Sequence, residues 1–377
     1  MELNNYHLVI IRSYGDNINL NSYNCQELGL AKALVKRGMK VTLLMPRFAN
    51  TQKELIDNID GVDIAYIKVK WKIHARYCWY NDFERALSLL NPSFIQVHDM
   101  DLLMTWRSVR WAKKNEIPCF LIQGPYDKWK QIGLRQLNEL YNRTFGKYVI
   151  KNVTRIGVKT ELASTYLNKY YTCRTQQTVI GLDTDAFKND EVHDWRNDLN
   201  ISDKKILLYV GSIQPRRNPL FLVDILKKLP EDYVLVVVGG GVQQTELKEK
   251  IVNDNMGDRC FILGKLKQKE LPSLYQTANC FLLASDYEIL GMVIMEAMYF
   301  GLPVISTKTT GADFVINSDD YGIIIENKDP NQWALSIQHL LDDKKKYEML
   351  SSMCHRRIID NFVWDKTVEG FLHLYFK

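Results

Sequence analysis

Residues 280–306, CFLLASDYEILGMVIMEAMYFGLPVIS, combine two short apolar runs with a polar turn and a helical stretch. The runs 280–284 and 304–306 have the length and composition of buried strands. Between them, apolar residues from 293 to 298 recur at helical spacing, and the Gly-Leu-Pro turn at 301–303 is typical of a helix end. This order predicts one strand–loop–helix–strand unit of a parallel α/β sheet.

The start of this helix has the composition of an anion site. The first N–H groups of a helix have no partner inside it and attract a phosphate. Here they would belong to Leu290, Gly291, Met292 and Val293. Glu288 precedes the helix. Glu296 lies about five residues after the helix start, roughly 7–8 Å along the helix axis. Two carboxylates on either side of an anion seat suit a nucleotide-diphosphate sugar, which has hydroxyls at both ends.

The spacing Glu288-x7-Glu296, followed by Gly301-Leu302-Pro303-Val304, resembles the signature of retaining glycosyltransferases of family 4. The resemblance implies the GT-B fold, in which two Rossmann-like α/β/α domains face each other across a deep cleft. It also implies that Glu288 contacts the donor sugar and that Glu296 contacts the ribose. The alternative is that Glu288 caps a helix and that Glu296 lies on a solvated face.

The length of 377 residues indicates two domains of ordinary size. By the resemblance, residues 1–185 form the acceptor-binding domain and residues 186–377 the donor-binding domain. The last helix, at 364–377, is expected to pack on the first domain. Residues 1–180 carry 26 Lys and Arg against 15 Asp and Glu, whereas the remainder is net negative. This asymmetry indicates an anionic partner on the first half alone.

Several features favour a reducing, aqueous compartment. No apolar run reaches the length of about 18 residues that a membrane span needs. The first residues, MELNNYHLVIIRSYG, lead directly into a strand without the basic region and cleavage site of a signal peptide. The seven cysteines are scattered without CxxC spacing, which favours free thiols over disulfides or a zinc site. We therefore expect a cytoplasmic protein.

Residues 64–80, IAYIKVKWKIHARYCWY, alternate apolar and basic side chains. One interpretation is an ordinary amphipathic strand and loop. The other is a cationic, aromatic surface that meets anionic lipid headgroups or a lipid-linked diphosphate, which would place the protein at the inner face of the cell membrane. Basic and aromatic residues also cluster at 106–114 and 128–130, and three such clusters in one domain favour the second interpretation.

Strand ends of the first domain carry further candidate residues. Gly15 lies in the loop after the first strand and is expected to approach a ligand with its backbone. His98 ends a short strand and resembles the family's cleft-lining histidine at this position. Gln123 lies near the turn where many relatives have a histidine that points at the reacting sugar. An amide does not titrate, so we expect Gln123 to act as a neutral hydrogen-bonding group near donor or acceptor.

Asp99-Met100-Asp101 follows His98 and matches the Asp-x-Asp metal motif of GT-A, the other large glycosyltransferase fold. We favour the absence of a metal, because the sugar-nucleotide signature lies in the C-terminal half, where GT-B proteins have it. A metal role for these aspartates is the alternative.

The second domain opens with a strand followed by Gly211-Ser212-Ile213-Gln214-Pro215-Arg216-Arg217. Family members usually have a lysine at the position of Arg217, and a guanidinium grips a diphosphate at two points. Ser212 replaces the family's usual arginine, and Arg216 would supply the missing charge. The alternative is two surface arginines that open a helix, although cations there oppose the helix dipole.

Two more turns resemble nucleotide-contacting parts of the family. Gly239 and Gly240 follow the strand 234–238 and let the backbone approach a ligand. In relatives the backbone after the next strand contacts the base, which makes Lys265 and Leu266 candidates.

These observations predict a retaining, metal-independent hexosyltransferase with no cofactor beyond its donor substrate and no nucleic-acid partner. It would move a sugar from a nucleotide-diphosphate sugar, with UDP favoured, to a saccharide or lipid-linked saccharide in cell-surface polysaccharide or lipid-linked glycan synthesis. The predicted catalytic residues are Glu288, Arg217, His98 and Gln123. The alternatives are an epimerase or phosphorylase-like enzyme on the same fold, and a non-catalytic GT-B partner subunit or sugar-nucleotide-binding protein. Ser212 and Gln123 keep the non-catalytic alternative open.

Overall fold

The computed structural model describes residues 2–16, 20, 25–47, 57–124, 132–188 and 193–377, and of 132–134 the backbone alone. The chain forms two compact units. Unit 1 comprises Met1–Gly181 together with Trp364–Lys377, and unit 2 comprises Leu182–Val363. The chain leaves unit 1 close to position 185, where we place the domain boundary from the sequence.

Unit 1 contains a mostly parallel sheet. In the order β3-β4-β2-β1-β6-β7-β8-β9, neighbouring strands are parallel except for the antiparallel pair β3 and β4, and β5 forms an antiparallel hairpin with β4. The central strands are buried apolar runs, as a sheet covered on both faces requires. The strands are β1 His7–Ile11, β2 Lys40–Arg47, β3 Asp57–Ile59, β4 Val62–His74, β5 Tyr77–Tyr80, β6 Phe94–His98, β7 Cys119–Gln123, β8 Arg155–Val158 and β9 Gln176–Gln177.

Helices connect these strands, and one helical stretch is interrupted. The first helix begins at Gln26, and residues 21–24 before it lie outside the described residues. The stretch from Ile132 to Asn152 is helical throughout, but residues 142–146 form a π-helical turn between two α-helices. The helices are α1 Gln26–Lys36, α2 Phe83–Leu90, α3 Leu103–Lys114, α4 Ile132–Tyr141, α5 Lys147–Asn152 and α6 Glu161–Asn168.

The structure corrects part of the predicted basic and aromatic surface. Arg107 and Trp111, in the cluster 106–114, are buried. Arg107 donates to both carboxylate oxygens of Glu84, at 2.7 and 2.5 Å, and therefore stabilises the interior of unit 1. The cluster 128–130 lies outside the described residues. The hairpin of β4 and β5 remains exposed, as do Arg110, Lys113 and Lys114 in the cluster 106–114.

Unit 2 contains a parallel sheet in the order β12-β11-β10-β13-β14-β15. The chain adds strands outward from β10 in one direction and from β13 in the other, so the strand order reverses between these two neighbours. Ligands of open α/β sheets bind at such a switch point, beyond the carboxyl ends of the strands. The strands are β10 Lys205–Val210, β11 Tyr233–Val238, β12 Cys260–Gly264, β13 Cys280–Leu283, β14 Val304–Thr307 and β15 Ile323–Ile325.

The unit predicted from residues 280–306 is present as β13, a loop, one helix and β14. Gly301 has φ +69°, the left-handed conformation that ends many helices, as its place before Leu302-Pro303 predicts. The helices of unit 2 are α7 Trp195–Asp198, α8 Pro219–Leu226, α9 Gln244–Asn253, α10 Leu271–Thr277, α11 Met292–Tyr299, α12 Thr310–Ile316, α13 Pro330–Asp342 and α14 Lys344–Asn361. Among the described residues, no helix of either unit is long and apolar enough to cross a membrane.

The last helix, α15 Trp364–Phe376, belongs to unit 1, as the GT-B resemblance implies. The Tyr375 hydroxyl donates to Gln96 Oε1 at 2.5 Å, and Arg155 Nη1 donates to the carbonyl of Leu374 at 2.8 Å. Trp364 is buried against α1, where a Cβ on Gly29 would lie 2.9 Å from Cε2 of its indole. The absence of a side chain at Gly29 therefore allows α15 to dock.

We expect Gly29→Ala to destabilise the protein by about 1–3 kcal/mol, because the added methyl group displaces the Trp364 indole. The measurement is the free energy of unfolding from denaturant titration followed by tryptophan fluorescence. Gly257→Ala is the control, since a Cβ there meets no atom within 4 Å. Equal stabilities of the two variants would show that the Trp364 contact does not hold α15.

Candidate functional site

The carboxyl edge of the unit 2 sheet gathers the residues that we predict to bind the donor. The loops after β10, β11, β12 and β13 all open at this edge, because the strands are parallel. They carry Arg216 and Arg217, Gly239 and Gly240, Lys265 and Leu266, and Glu288 to Val293 with Glu296 beyond them. The fold therefore brings sequence-distant candidates to one edge of unit 2.

An ion pair joins the two loops at the switch point. Arg217 Nη1 lies 2.9 Å from Glu288 Oε1, and both side chains are largely buried. Arg216 Nη1 lies 3.7 Å from the same oxygen but is 42% exposed. Burial of Arg217 excludes the alternative that both arginines are surface residues. Two guanidinium groups around one carboxylate give this group of three side chains a net positive charge.

Backbone hydrogen bonds fix the same two loops. Arg216 Nη1 donates to the carbonyl of Tyr287 at 2.9 Å, and the N–H of Asp286 donates to the carbonyl of Arg216 at 2.8 Å. Asn218 Nδ2 donates to the carbonyl of Ala284 at 2.8 Å and to Asp286 Oδ1 at 2.9 Å. Asn218 was not predicted as a site residue. The available signal was an asparagine directly after two arginines. Asparagine tolerates the left-handed backbone that the turn needs, and Asn218 has φ +49°.

Glycines let the neighbouring loops approach closely. Gly239 has φ +131°, and a Cβ there would meet the backbone of Gly211 at the end of β10. Gly240 adjoins Lys265, since a Cβ on Gly240 would lie 3.5 Å from the lysine Cε. The predicted pairs 239–240 and 265–266 are thus next to each other. The Lys265 ammonium lies on an exposed side chain, and Leu266 is half-buried.

The start of α11 has the geometry of an anion seat. Gly291 is its N-cap residue, with φ +71° and therefore no side chain that could cap the helix. Helix α11 begins at Met292, so the first-turn N–H groups of Met292 and Val293 have no intrahelical acceptor. The Glu288 carbonyl accepts from the N–H of Gly311 at 3.0 Å, and Leu290 packs on Gly311, where a Cβ would lie 2.6 Å from the Leu290 carbonyl carbon.

Glu296 is buried, which excludes the alternative of a solvated face residue. The Tyr275 hydroxyl donates to Glu296 Oε2 at 2.8 Å. Burial raises the pKa of Glu296 to about 7, although the hydrogen bond from Tyr275 lowers it. Tyr275 could not be predicted from the sequence, because the contact depends on how α10 packs on α11. Glu296 can accept hydrogen bonds from ligand hydroxyls most strongly when it is ionised.

In unit 1, His98 and Gln123 end the adjacent strands β6 and β7. Burial lowers the pKa of His98, which lies 3.1 Å from Gln96 through their side-chain nitrogens. Gln123 is fully buried, and its Oε1 accepts from the N–H of Met100 at 2.9 Å. Gln123 therefore holds the backbone after β6. Gly15 donates its N–H to the carbonyl of Ala75 at 2.8 Å and packs on the β4–β5 hairpin.

The two aspartates after His98 pair with protein groups. Asp99 Oδ2 accepts from the Tyr14 hydroxyl at 2.5 Å, and Asp99 Oδ1 accepts from the N–H of Gly124 at 3.0 Å. Asp101 forms an ion pair with Arg76. In the described part of the chain, no three or more His, Cys, Asp or Glu side chains are grouped so that they could hold a metal ion.

This arrangement in unit 2 can hold an anion flanked by hydroxyl groups. The guanidinium groups of Arg216 and Arg217 and the start of α11 supply positive potential. Glu288 and Glu296 supply acceptors for hydroxyls on either side. The groups are fixed by hydrogen bonds within unit 2.

One protein family matches the part of the chain that contains the unit 2 site. Residues 191–354 match the family described as glycosyl transferases group 1. The D-inositol 3-phosphate glycosyltransferase of Salinispora tropica is 30% identical over 182 residues, which are 45% of this chain and 38% of that protein. The UDP-Gal:alpha-D-GlcNAc-diphosphoundecaprenol alpha-1,3-galactosyltransferase of Escherichia coli is 28% identical over 176 residues, 45% of each chain. The chain thus spans less than half the length of these two relatives.

Solved structures are similar over nearly the whole chain. HepE of Anabaena, crystallised with UDP and glucose, has a TM-score of 0.75 at 15% identity, with 98% of both chains covered. The sucrose-phosphate synthase of Thermosynechococcus elongatus has a TM-score of 0.78 at 20% identity, again with 98% of both chains covered. At such identities the similarity establishes the fold. The chain therefore has the GT-B fold, and its residues 191–354 are similar to the glycosyl transferases group 1 family.

Proposed function

We propose that the protein is a retaining, metal-independent glycosyltransferase that moves a hexosyl group from a nucleotide-diphosphate sugar to an acceptor hydroxyl. The observation that carries the proposal is the grouping of Arg216, Arg217 and Glu288 at the switch point of unit 2, beside the start of α11. A diphosphate fits the cations and the helix start, and hydroxyls on both sides fit the two glutamates. The family of residues 191–354 supports the same reaction class.

In this mechanism the donor bond breaks between the anomeric carbon and the diphosphate oxygen. Arg217 and Arg216, together with the N–H groups at the start of α11, stabilise the negative charge that grows on the departing diphosphate. Glu288 orients the sugar, and Glu296 accepts hydrogen bonds from the ribose. The acceptor oxygen attacks from the face that the diphosphate leaves, and the diphosphate takes the acceptor's proton, which retains the anomeric configuration.

UDP is the nucleotide that we propose for the donor. Two relatives support this choice: HepE binds UDP and glucose, and the E. coli relative is named as a UDP-galactose-dependent transferase. The latter acts on a diphosphoundecaprenol-linked sugar, which supports a saccharide or lipid-linked saccharide acceptor and a role in surface polysaccharide or lipid-linked glycan synthesis. We assign the acceptor to unit 1.

A non-catalytic sugar-nucleotide-binding protein is the second candidate. Ser212 favours it, because the family's usual arginine is missing there and Arg216, its substitute, is partly exposed. Both candidates bind the nucleotide, but only the enzyme forms a glycosidic bond. Turnover of the nucleotide sugar in the presence of acceptor therefore separates them.

Arg217→Met is expected to weaken nucleoside diphosphate binding at least tenfold, because charge-assisted hydrogen bonds contribute about 1.5–3 kcal/mol. The measurement is calorimetry with UDP, GDP, ADP, CDP and NAD, each with and without EDTA. In the wild type we expect one diphosphate to bind and EDTA to have no effect. Glu296→Ala should abolish binding of that nucleoside diphosphate.

Arg356→Met, on the exposed face of α14, is the matched control and should bind like the wild type. A folded wild type that binds none of these nucleotides would refute the proposed donor site. Binding that EDTA abolishes would refute the metal-independent mechanism.

The raised pKa of Glu296 makes stability depend on pH. The pKa rises from 4.5 to about 7 on folding, so the folded state holds the proton more tightly. The contribution of Glu296 to the free energy of unfolding is therefore greatest below pH 4.5. It falls as the pH rises to about 7, by up to about 3 kcal/mol. Glu296→Gln should lack this decrease in thermal denaturation measured between pH 5 and 8.

Saturating UDP should flatten the same decrease in the wild type, because ribose hydroxyls that donate to Glu296 favour its ionised form. An equal pH dependence with and without bound UDP would show that Glu296 does not contact the nucleotide.

We also propose that the β4–β5 hairpin contacts anionic membrane. Trp71 is 40% and Ile73 86% exposed, and Lys68 and Lys70 are exposed on the neighbouring positions of β4. Trp71 stacks on Trp79 at a centroid distance of 6.2 Å, which holds it in place. Exposed apolar and cationic side chains on one hairpin are suited to the boundary between headgroups and acyl chains.

The double variant Lys68→Glu/Lys70→Glu should weaken binding to phosphatidylglycerol vesicles about tenfold or more, since each lysine near an anionic surface contributes about 1 kcal/mol. Vesicle co-sedimentation measures this. Lys345→Glu/Lys346→Glu makes the same charge change on unit 2 and should bind as the wild type does. Equal loss in both variants would indicate a response to net charge and contradict a specific role of the hairpin.

A further inference from the structure

Unit 1 contains three buried oxygens that lack hydrogen-bond donors. They are Asp101 Oδ1, Asn138 Oδ1 and Asn142 Oδ1, and none accepts a hydrogen bond from any residue that the structure describes. Each of the three residues is at least nine-tenths buried. We refer to Asp101, Asn138 and Asn142 as the Asp101 cluster.

The cluster lies where the loop after β6 meets the helical stretch of α4 and the π-helical turn. The Tyr141 hydroxyl donates to the carbonyl of Leu102 at 3.0 Å, which ties the stretch to the residue after Asp101. Gly146 lies between Asn142 and Met100: a Cβ there would be 3.4 Å from Asn142 Oδ1 and 3.5 Å from Met100 Sδ. Asn138 precedes Asn142 by one helical turn and therefore shares its face.

The second polar atoms of Asp101 and Asn142 are partnered. Asp101 pairs with Arg76 through its second oxygen, Oδ2, and the carbonyl of Arg76 accepts from the N–H of Leu103 at 3.2 Å. Asn142 Nδ2 donates to the Tyr166 hydroxyl at 2.8 Å. These bonds hold the side chains of Asp101 and Asn142 while one oxygen of each remains without a donor.

Such an arrangement is costly for folding alone. A buried acceptor without a donor costs about 1–3 kcal/mol, and an apolar residue of the same shape removes that cost. The π-helical turn at 142–146 adds to this, because π-turns inside α-helices are rare and are frequent at functional sites. Both observations indicate a ligand that supplies the missing donors.

The chemistry of the cluster restricts that ligand. Three acceptor oxygens require a group that donates several hydrogen bonds. Tyr77 and Tyr141, whose rings meet edge to face at 6.0 Å, add aromatic surface close to Asp101. A phosphate is disfavoured, because it donates poorly and would approach the carboxylate of Asp101. A neutral, polyhydroxylated ring satisfies all of these conditions.

We propose that the Asp101 cluster binds the sugar ring of the acceptor through its hydroxyl groups. This inference rests on the proposed glycosyl transfer and names the acceptor subsite within unit 1. Asp101 accepts a hydrogen bond from one acceptor hydroxyl, and Asn138 and Asn142 accept from its neighbours. Burial raises the pKa of Asp101 to about 6, against the opposing effect of Arg76, so its carboxylate is available as an acceptor at neutral pH.

The test compares saccharide binding with stability in the full chain. Saturation-transfer NMR would be recorded with the methyl glycosides of glucose, galactose, mannose and N-acetylglucosamine, with and without UDP, and with inorganic phosphate as the anion. We expect at least one glycoside to bind the wild type and to bind Asn138→Leu at least tenfold more weakly. The melting temperature of Asn138→Leu should stay equal or rise, because an unsatisfied oxygen is removed.

Asn152→Leu is the matched control. Asn152 lies in the same unit, and both its polar atoms are partnered, by Lys113 Nζ at 2.6 Å and the Tyr148 carbonyl at 2.7 Å. It should lose stability and keep glycoside binding. Asp101→Asn, which preserves shape, is the second test variant and should also weaken glycoside binding.

Two results would overturn the inference: no glycoside binds the wild type, or Asn138→Leu and Asp101→Asn bind glycosides as the wild type does. In the first case, a lower melting temperature of Asn138→Leu would assign the oxygens to buried water, because the substitution would then remove an acceptor that water satisfies. Calorimetry with UDP on the same samples separates this failure from failure of the proposed function. Bound UDP with unchanged glycoside binding in the variants refutes the subsite alone, whereas absence of nucleotide binding refutes the proposed donor site.

Discussion

The ion pair between Arg217 and Glu288 is the contact on which the unit 2 site depends. It joins the loops that follow β10 and β13, the two strands between which the sheet order reverses. Two buried, opposite charges stabilise each other, whereas either one alone would be unfavourable in this environment. The backbone of the same loop then reaches Gly311, which sets the position of the first turn of α11. One electrostatic contact thus aligns the cations, the carboxylate and the helix start.

Much of the fold and of the unit 2 site could be predicted from the sequence, because its signals are local. Buried apolar runs give the strands, and glycines mark the turns at which the loops approach each other. Contacts between distant elements could not be predicted in this way. Tyr275 meets Glu296 only because α10 packs on α11, and Glu84 places Arg107 in the interior, although the pattern around Arg107 resembles an exposed surface. The Asp101 cluster, too, depends on contacts between distant segments and has no sequence signature.

The two units distribute polar groups differently. In unit 2, the groups at the carboxyl edge are charged and are held by backbone hydrogen bonds between adjacent loops. In unit 1, Gln123, Asp99 and Asp101 are buried, and Gln123 and Asp99 serve first to fix the backbone around the ends of β6 and β7. A charged edge is suited to a ligand that is anionic in every case, whereas buried hydrogen-bond acceptors are suited to a ligand defined by the positions of its hydroxyls. This difference agrees with a common donor and a variable acceptor.

The return of α15 to unit 1 has a consequence for synthesis of the chain. Unit 2 begins at Leu182 and ends at Val363, and these residues form an isolated β-bridge, so the unit is inserted into unit 1 at neighbouring points. A nascent chain releases all of unit 2 from the ribosome before α15. Until then, the α1 surface around Gly29 that receives Trp364 stays uncovered. Unit 1 therefore needs residues made after unit 2 to complete its core, and unit 2 has the opportunity to fold first.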